Sequence, residues 1–363
     1  MQKIVFVTES LFGIGGTVRV IINWSNYFAD VIGSDVECVA TGNGEIYYPI
    51  SEKVKIKNIP FKFRFKLLKI FSLFTNTIIM YKFLSQYNKA NIIFNKSLFI
   101  EPIWLLRKFG FFKNLNLIYM HHGGSNAFKD FYMKNKFTKH RVKMIFDAFD
   151  KAICLFNNEI DYPKNVKLEK LFFIPNPLSF TPADDLEIEK KENIVLSIGR
   201  ITKAKGIDTL IKAWKNIEHD VKDWQLYIVG DGEDKIEFIK LAEQNNIINI
   251  KFIDGTNDVK KFYEQAKIFI IPSVYEGFGL TITEAMSCKC CVISSKTDGG
   301  MRLVNHNVNG ILFNIGNVEE LSKCILNMIT NVEFRNKIAN NGYASIEKFK
   351  IENLYQSWKH VLI

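Results

Sequence analysis

Long apolar runs are missing from this chain. No uncharged apolar run of 18 residues occurs anywhere in its 363 positions. A helix that crosses a bilayer needs about 20 such residues, so no membrane-spanning helix is expected. The first ten residues, MQKIVFVTES, have the pattern of a strand and not that of a signal peptide. The protein is therefore expected in the cytosol.

Metal-binding patterns are equally scarce. The six cysteines stand at positions 38, 154, 288, 290, 291 and 324. Cys288 and Cys291 form a CxxC, but no second pair and no histidine lies at the spacing of a zinc site. We expect them to be small buried residues at a junction between a helix and a strand. The chain also contains no Asp-x-Asp, so neither a metal ion nor a cofactor is predicted.

Acidic residues are few in the first half of the chain. Residues 1–178 hold 25 Lys and Arg against 13 Asp and Glu, a net charge of +12, whereas the rest of the chain holds 23 and 25. No helix-turn-helix, RNP-like or zinc-finger pattern accompanies this charge. Nucleic acid is therefore not an expected partner.

The basic excess is densest between residues 53 and 71. Cations alternate there with apolar, mostly aromatic side chains: Lys53, Lys55, Lys57, Lys62, Arg64, Lys66 and Lys69 with Phe61, Phe63, Phe65, Leu67, Leu68 and Phe71. Such a mixture suits an anionic membrane surface. The alternative is a charged strand edge followed by a core helix whose lysines face solvent.

Apolar runs alternate with helical patterns along the whole chain, which predicts two parallel, doubly wound α/β sheets. The expected strands cover about 3–8, 36–41, 91–95, 116–120, 151–155 and 171–174, then about 193–199, 225–230, 250–253, 268–271, 291–294 and 311–313. The expected helices cover about 16–31, 206–219, 234–246, 257–266 and 279–288.

A chain of 363 residues is too long for one typical core, so two domains are expected. Pro175, Pro177 and Pro182 fall among polar residues between the two sets of strands. We therefore predict domains over 1–178 and 179–345, with the linker near 177–192. A C-terminal helix in 346–363 is expected to pack back toward the N-terminal domain.

The most informative segment is SVYEGFGLTITEAMSC, residues 273–288. It follows the apolar run IFIIP and places Glu276 and Glu284 on either side of a Gly-rich turn that opens a helix. Backbone N–H groups at such a turn suit a phosphate, and nearby carboxylates can accept sugar hydroxyls. Taken alone, this spacing is equally typical of an ordinary helix start.

A cluster of cations lies about 75 residues upstream. The strand IVLSIG leads to Arg200, Lys203 and Lys205, and Gly206 then opens the helix IDTLIKAW. Cations and a helix N-terminus just past the carboxyl end of a strand are where open α/β sheets bind phosphates. The two segments together predict a site for a phosphorylated sugar.

These segments resemble the retaining nucleotide-sugar glycosyltransferases of the GT-B fold, glycosyltransferase family 4. The resemblance covers nearly the whole chain and rests on Gly15-Gly16, SIGRITKAKGIDTLIKAW, YIVGDGED, FIIPSVYEGFGLTITEAMSC and DGG followed by NGILF. Three positions depart from the pattern. The family usually has Gly and Pro where Lys289 and Cys291 stand, and Glu where Leu303 stands.

The resemblance implies a GT-B architecture in which two Rossmann-like domains face each other across a cleft, the acceptor side in 1–178 and the nucleotide-sugar side in 179–345. It assigns Arg200 and Lys205 to the diphosphate, Glu276 to hydroxyls of the donor sugar and Glu284 to those of the ribose. The backbone of Phe278, Gly279 and Leu280 would meet the phosphates.

The first Gly-rich turn, FGIGGTVRV, is not a dinucleotide fingerprint. Val18 stands where a third glycine would fall, and the strand VECVATG ends without an acidic residue for a ribose. The Gly15-Gly16 turn either lets the backbone approach the donor's diphosphate and sugar from across the cleft, or only starts a helix.

Two adjacent histidines end the strand LNLIYM of the first domain, directly before two glycines. The family commonly has a histidine there that contacts the donor sugar or the transition state. Because side chains alternate along a strand, only one of His121 and His122 can point toward the donor. We favour His122, and the alternative is a capped or surface histidine.

The predicted activity is therefore transfer of a hexosyl residue, with retention and without a metal ion, from a nucleotide sugar such as a UDP-sugar to a lipid-linked saccharide of a bacterial surface polysaccharide. The donor, this acceptor and an anionic membrane are the expected partners, on the cytoplasmic face of the inner membrane. Two alternatives are a sugar-nucleotide epimerase of related fold and a non-catalytic nucleotide-sugar-binding protein. Intact Arg200, Lys205, Glu276 and Glu284 argue against the last.

Overall fold

The computed structural model describes residues 1–9, 11–60, 69–122, 136–155, 168–183 and 185–363. The chain divides into two compact units. Unit 1 comprises Met1–Pro177 with Ile351–Ile363, and unit 2 comprises Leu178–Lys350. The boundary lies one residue before the predicted one, at the start of the predicted linker. The C-terminal segment that joins unit 1 begins at residue 351, not 346.

Unit 1 contains a parallel sheet in the order β3-β2-β1-β4-β5-β6-β7. Its strands are β1 (Lys3–Thr8), β2 (Asp35–Ala40), β3 (Lys55–Asn58), β4 (Asn91–Phe94), β5 (Asn116–Met120), β6 (Lys151–Cys154) and β7 (Leu171–Phe173). The strand order reverses between β1 and β4. In open α/β sheets, ligands bind beyond the carboxyl ends of the strands at such a switch point.

The described helices of unit 1 are α1 (Gly16–Asp30), α2 (Lys69–Leu84), α3 (Ile100–Lys108), α4 (Lys136–Ala148) and α12 (Ile351–Trp358). Every residue of β4 and β5 is buried, as expected for strands covered on both faces. By contrast, β3 (KIKN) is wholly exposed at the edge of the sheet. Its two lysines protect that edge from pairing with another chain.

The C-terminal helix α12 is held in unit 1 by aromatic contacts with α1. The Trp358 ring lies 5.2 Å from that of Trp24 and 5.4 Å from that of Phe28, and the Tyr355 ring lies 5.6 Å from that of Tyr27. Trp24, Phe28 and Trp358 are fully buried. Aromatic pairs of this kind stabilise by about 1 kcal/mol each beyond the area they bury.

Unit 2 contains a second parallel sheet in the order β10-β9-β8-β11-β12-β13. Its strands are β8 (Glu192–Ile198), β9 (Gln225–Val229), β10 (Ile250–Ile253), β11 (Ala266–Ile271), β12 (Cys291–Ser295) and β13 (Ile311–Phe313). Here the order reverses between β8 and β11. The switch point of unit 2 therefore lies beyond the carboxyl ends of these two strands.

The helices of unit 2 are α5 (Ile207–Ile217), α6 (Lys235–Gln244), α7 (Lys260–Gln265), α8 (Leu280–Ser287), α9 (Asp298–Leu303), α10 (Val318–Thr330) and α11 (Val332–Ser345). One buried apolar cluster, which includes Leu210, Trp214, Ile268, Ile293 and Phe313, joins them to the sheet. Cys288 and Cys290, between α8 and β12, and Cys291, the first residue of β12, are buried free thiols.

The prediction of two parallel, doubly wound α/β domains is confirmed, and most predicted strands end within two residues of the observed ones. Within the described ranges, no helix combines the length and apolarity that crossing a bilayer requires. Most of the basic segment predicted to meet a membrane, including Lys62, Arg64 and Lys66, lies outside the described residues, as does the side chain of Lys69.

Candidate functional site

The turn after β8 is fixed against the loop after β11 by Gly206. This glycine has a φ of 64°, and a Cβ added to it would lie 2.1 Å from the carbonyl oxygen of Pro272. No other residue fits that contact. The Val274 N–H also donates to the Ala204 carbonyl at 2.9 Å. The two loops that carry the predicted donor residues are therefore held side by side.

Lys205 and Glu276 meet at this switch point. The Lys205 Nζ lies 2.7 Å from the Glu276 carboxylate, and both side chains are partly buried. The Glu276 carbonyl accepts a hydrogen bond from the Gly299 N–H at 3.0 Å, which fixes the loop. The glutamate thus holds the ammonium group in position, and both groups remain accessible to a ligand.

Arg200 provides a second cation at the same switch point. It follows the carboxyl end of β8 and is exposed. Lys205 and Arg200 line one small pocket together with Gly199 and Ser273. Within the described part of the chain, the Arg200 side chain forms no ion pair. Its charge is therefore available to an anionic ligand.

The turn before α8 presents a helix N-terminus to these cations. Gly279, with a φ of 89°, precedes the helix, and no side chain caps it. Phe278 is buried against Phe349, with their ring centres 5.8 Å apart. A Cβ added at Gly299 would lie 2.4 Å from the Phe278 carbonyl oxygen, so α9 also constrains this turn. The first N–H groups of α8, beginning with Leu280, suit a phosphate.

Glu284 lies on the buried side of α8, one turn beyond the Gly-rich turn. Only 4% of its surface is exposed, and its carboxylate accepts hydrogen bonds from the hydroxyls of Tyr263, at 2.9 Å, and Ser179. Sequence reasoning missed both partners, because neither belongs to a motif. Each comes from a segment far from Glu284 along the chain.

The Gly15-Gly16 turn lies beyond the carboxyl end of β1 in unit 1. Gly15 has extended backbone, and a Cβ added to it would meet no atom within 4 Å. Its N–H donates to the Tyr48 hydroxyl at 3.2 Å, and the Arg19 guanidinium lies 4.6 Å from the Tyr48 ring centre. Gly16 begins α1. The space above Gly15 is open, while its amide is already engaged.

His121 and His122 follow the carboxyl end of β5. The His121 N–H continues the sheet by donating to the Ile153 carbonyl at 2.8 Å. Burial lowers the pKa of His121 to about 4. Burial, followed by electrostatic repulsion from His121 and Lys96, lowers the pKa of His122 to about 3, and a hydrogen bond with Asn176 opposes this shift. Both rings are therefore neutral at pH 7, where a ring nitrogen can donate or accept a hydrogen bond.

Two asparagines that the sequence analysis did not identify lie at the same edge of the sheet as these histidines. Asn95 directly follows β4 and Asn176 follows β7, and both are buried. Among described residues, neither side-chain polar atom of Asn95 has a hydrogen-bond partner. We call Asn95, His121, His122 and Asn176 the unit 1 polar cluster. Unpaired buried polar atoms are rare, and a ligand rich in hydroxyls would satisfy them.

In the described ranges, no three His, Cys, Asp or Glu side chains are grouped so as to hold a metal ion.

The switch points of the two units offer different chemistry. Unit 2 presents two cations, two carboxylates and a helix N-terminus, which suit an anion attached to a polyol. Unit 1 presents neutral imidazoles and amides, which suit hydroxyl groups.

Comparisons with known proteins agree with this chemistry. Residues 182–345 match the family described as "Glycosyl transferases group 1". This region is similar to the domains that the family model describes. The whole chain is similar to an uncharacterized glycosyltransferase of Haemophilus influenzae, with 28% identity over 372 residues and 100% of both chains covered. The matched family and this relative support glycosyltransferase activity for the chain.

A relative from Campylobacter jejuni is 25% identical over 363 residues, covering 99% of this chain and 97% of its own. It is named GalNAc-alpha-(1->4)-GalNAc-alpha-(1->3)-diNAcBac-PP-undecaprenol alpha-1,4-N-acetyl-D-galactosaminyltransferase. Among solved structures, a TarM variant of S. aureus in complex with Fondaparinux, alpha-GlcNAc-glycerol and UDP is 16% identical, with a TM-score of 0.78 and 99% of each chain covered. The likeness confirms the GT-B fold predicted from the sequence.

Proposed function

We propose that the protein is a retaining, metal-independent hexosyltransferase of glycosyltransferase family 4. It transfers a sugar from a UDP-sugar to a lipid-linked saccharide during synthesis of a bacterial surface polysaccharide, on the cytoplasmic face of the inner membrane. The observation that carries the proposal is the group formed by Arg200, Lys205 and Glu276 beside the N-terminus of α8.

The names of two similar proteins support the substrates. The C. jejuni relative is named as a transferase acting on a saccharide linked to undecaprenol through PP, and the TarM variant was solved with UDP. We infer the same classes of acceptor and donor for this chain. The identity of the transferred hexose does not follow from either likeness.

The chemistry at the switch point of unit 2 follows from the charge that develops during transfer. As the anomeric C–O bond breaks, positive charge grows on the sugar and negative charge on the leaving diphosphate. Arg200 and Lys205 offset the negative charge, together with the N–H groups between Phe278 and Leu280. These fixed donors take the role that a metal ion has in other transferases.

The two carboxylates bind the polyol parts of the donor in this proposal. Glu276 accepts hydroxyls of the hexose while its other oxygen keeps the ion pair with Lys205. Glu284 accepts the ribose hydroxyls, and Tyr263 and Ser179 hold its carboxylate in place.

Retention is proposed to occur without an enzyme nucleophile. The oxygen of the leaving phosphate accepts the proton of the acceptor hydroxyl as that hydroxyl attacks the anomeric carbon on the face from which the phosphate departs.

The unit 1 polar cluster is proposed to bind sugar hydroxyls through its neutral rings and amides. Asn95 has two buried side-chain polar atoms that such hydroxyls would pair.

An anionic bilayer is proposed as the partner of the outer face of α2. Phe74, Ile78 and Tyr81 form one exposed stripe on this helix, with 65%, 41% and 42% of their surface accessible. The Phe111 ring extends the stripe, with its centre 5.3 Å from that of Tyr81. Exposed Lys82 lies beside it. Aromatic side chains next to cations suit the interface of an anionic membrane, and the net charge of residues 1–178 is complementary to it.

Vesicle sedimentation tests the membrane proposal. The protein should sediment with phosphatidylglycerol vesicles and detach as salt rises, but should not bind phosphatidylcholine vesicles. Phe74→Ser with Ile78→Ser should weaken binding at least tenfold, as should replacement of Lys62, Arg64, Lys66 and Lys69 by Gln. Ile236→Ser, which changes an equally exposed residue of unit 2, is the control. Wild-type binding by both sets of variants would contradict the proposal.

A panel of UDP- and GDP-sugars tests the activity itself. The protein should release UDP slowly from one UDP-sugar, and faster when an undecaprenyl-diphosphate saccharide is added. Lys205→Ala should lower this rate by roughly 100-fold, because it removes one donor to the leaving group. The control is Lys203→Ala, which changes the same turn but removes only the exposed ion pair of Lys203 with Glu237. It should change the rate of UDP release less than roughly twofold. A free, epimerised sugar product would identify an epimerase instead.

A further inference from the structure

A pocket of about 340 Å³ lies at the amino-terminal edge of the unit 2 sheet. Lys267 is the second residue of β11, Trp224 directly precedes β9, and Arg335 lies in the first turn of α11. The proposed donor residues lie beyond the opposite ends of β8 and β11. A strand of seven residues spans roughly 20 Å, so this amino-edge pocket is a separate site.

Arg335 carries a buried charge without a counter-ion. Only 4% of its surface is exposed, and no carboxylate among the described residues lies within ion-pair distance of it. Its Nη1 donates to the carbonyls of Met328, at 3.0 Å, and Ile329, at 3.2 Å. Its Nε is buried and has no partner in the described part of the chain. The Nη2 group has no hydrogen-bond partner in the described part of the chain, and a guanidinium N–H makes a strong hydrogen bond to a carboxylate.

Lys267 brings a second cation to the same pocket. Its Nζ donates to the Asn193 Oδ1 at 2.6 Å and lies 6.0 Å from the centre of the Trp224 ring. Burial, followed by the positive charge of Arg335, lowers the pKa of Lys267. Like charges in one partly buried pocket repel each other, so their proximity costs free energy unless an anion offsets it.

The remaining lining groups do not supply that anion. Glu189 lines the pocket, but its carboxylate is exposed and accepts a hydrogen bond from the Asn336 Nδ2 at 3.4 Å, and it pairs with neither cation. The Asn336 Oδ1 is buried and unpaired within the described ranges. The indole of Trp224 lies 5.4 Å from the Arg335 guanidinium, and Ile329 and Val332 complete an apolar wall.

We infer that the amino-edge pocket binds a small organic carboxylate with a flat apolar body. The carboxylate accepts hydrogen bonds from the Arg335 Nη2 and the Lys267 Nζ, and its negative charge offsets that of the two cations. The apolar body lies against Trp224 and the side chains of Ile329 and Val332. An inorganic anion would satisfy the charges but leave the apolar wall in contact with water, so the pocket should prefer the organic anion.

Benzoate is the probe, because it has the required carboxylate and a flat ring. Calorimetric titration should give saturable binding to one site, with a Kd in the millimolar range as expected for about nine non-hydrogen atoms. Benzyl alcohol, which lacks the charge, and inorganic phosphate, which lacks the ring, should each bind at least tenfold more weakly. Absence of saturable benzoate binding, or equal binding of either control compound, would overturn the inference.

Two variants locate the site. Lys267→Gln keeps a donor for Asn193 but removes the charge, and should weaken benzoate binding at least tenfold. Val332→Glu, at a position with 52% exposure where folding should tolerate the change, places a carboxylate at the rim and should abolish binding. The control is Lys261→Gln, which removes a cation of 51% exposure on α7. Equal affinity for benzoate in Lys267→Gln and Lys261→Gln would rule out this pocket.

Discussion

Lowering the pH from 7.5 to 5 should destabilise unit 1 through His121 and His122. Their pKa values are lowered by burial to about 4 and about 3. In the unfolded chain both should titrate near 6.5. A group whose pKa is lower in the folded state contributes its full stability above pH 6.5. It loses that contribution as the pH falls, because the unfolded chain then binds protons that the folded chain does not.

The size of the effect follows from these pKa values. At pH 5 an unfolded histidine is almost fully protonated, whereas both folded rings remain neutral. Linkage then gives a loss of about 2 kcal/mol for each ring. The side chains of His121 and His122 are only partly buried, so water screens the effect. We therefore expect a total loss of about 2–4 kcal/mol between pH 7.5 and pH 5.

Urea unfolding followed by pulsed hydrogen exchange and mass spectrometry, with labelling at one fixed pH, reports each unit separately. Peptides of β4 and β5 should exchange at lower urea concentration at pH 5 than at pH 7.5. The double variant His121→Gln, His122→Gln should remove most of this difference, while His219→Gln, at an exposed position of unit 2, should not. An unchanged pH dependence in the double variant would refute the reasoning.

Four further outcomes are expected. Arg200→Ala should lower turnover by roughly 100-fold with little change in melting temperature, because its exposed side chain has no ion pair to lose in the described structure; near wild-type turnover would contradict the diphosphate role. Glu276→Gln should impair turnover more than UDP affinity, whereas Glu284→Ala should impair UDP affinity more than turnover. Calorimetric titration with UDP measures both affinities, and equal losses of affinity would refute this division. Tyr263→Phe should weaken UDP binding several-fold without changing kcat, which steady-state kinetics would reveal. Activity should persist in excess EDTA, and complete loss that Mg²⁺ restores would contradict metal independence.

The C-terminal half of the fold could be predicted in most detail because its signals are local. The run IFIIP and the turn before α8 lie within one short segment, and Gly206 and Gly279 both have a positive φ that their turns require. Strand positions were similarly clear, since β8 and β11 contain the apolar runs IVL and IFII. Pattern and propensity act over a few residues, and here they agreed with the tertiary structure.

What the sequence analysis missed depends on contacts between distant segments. Tyr263 and Ser179 reach Glu284 from 21 and 105 residues away. Asn95 and Asn176 join the histidines only because β4, β5 and β7 share one sheet edge. Asparagine at the end of a strand is also a common turn residue, so its sequence signal does not separate the two roles. Helices α10 and α11 carry no motif and were not predicted.

The three departures from the family pattern differ in how near they lie to the candidate site. Lys289 has a φ of 53°, a region in which glycine is favoured, and its Nζ recovers part of that cost by donating to the Leu186 carbonyl at 2.9 Å. Cys291 is buried at the start of β12. Leu303, by contrast, comes within 3.5 Å of where a Cβ of Gly279 would stand, directly against the turn before α8. An apolar side chain there cannot accept the hydrogen bond that a glutamate accepts. We therefore expect this protein to prefer a different donor sugar from family members that have glutamate where Leu303 stands.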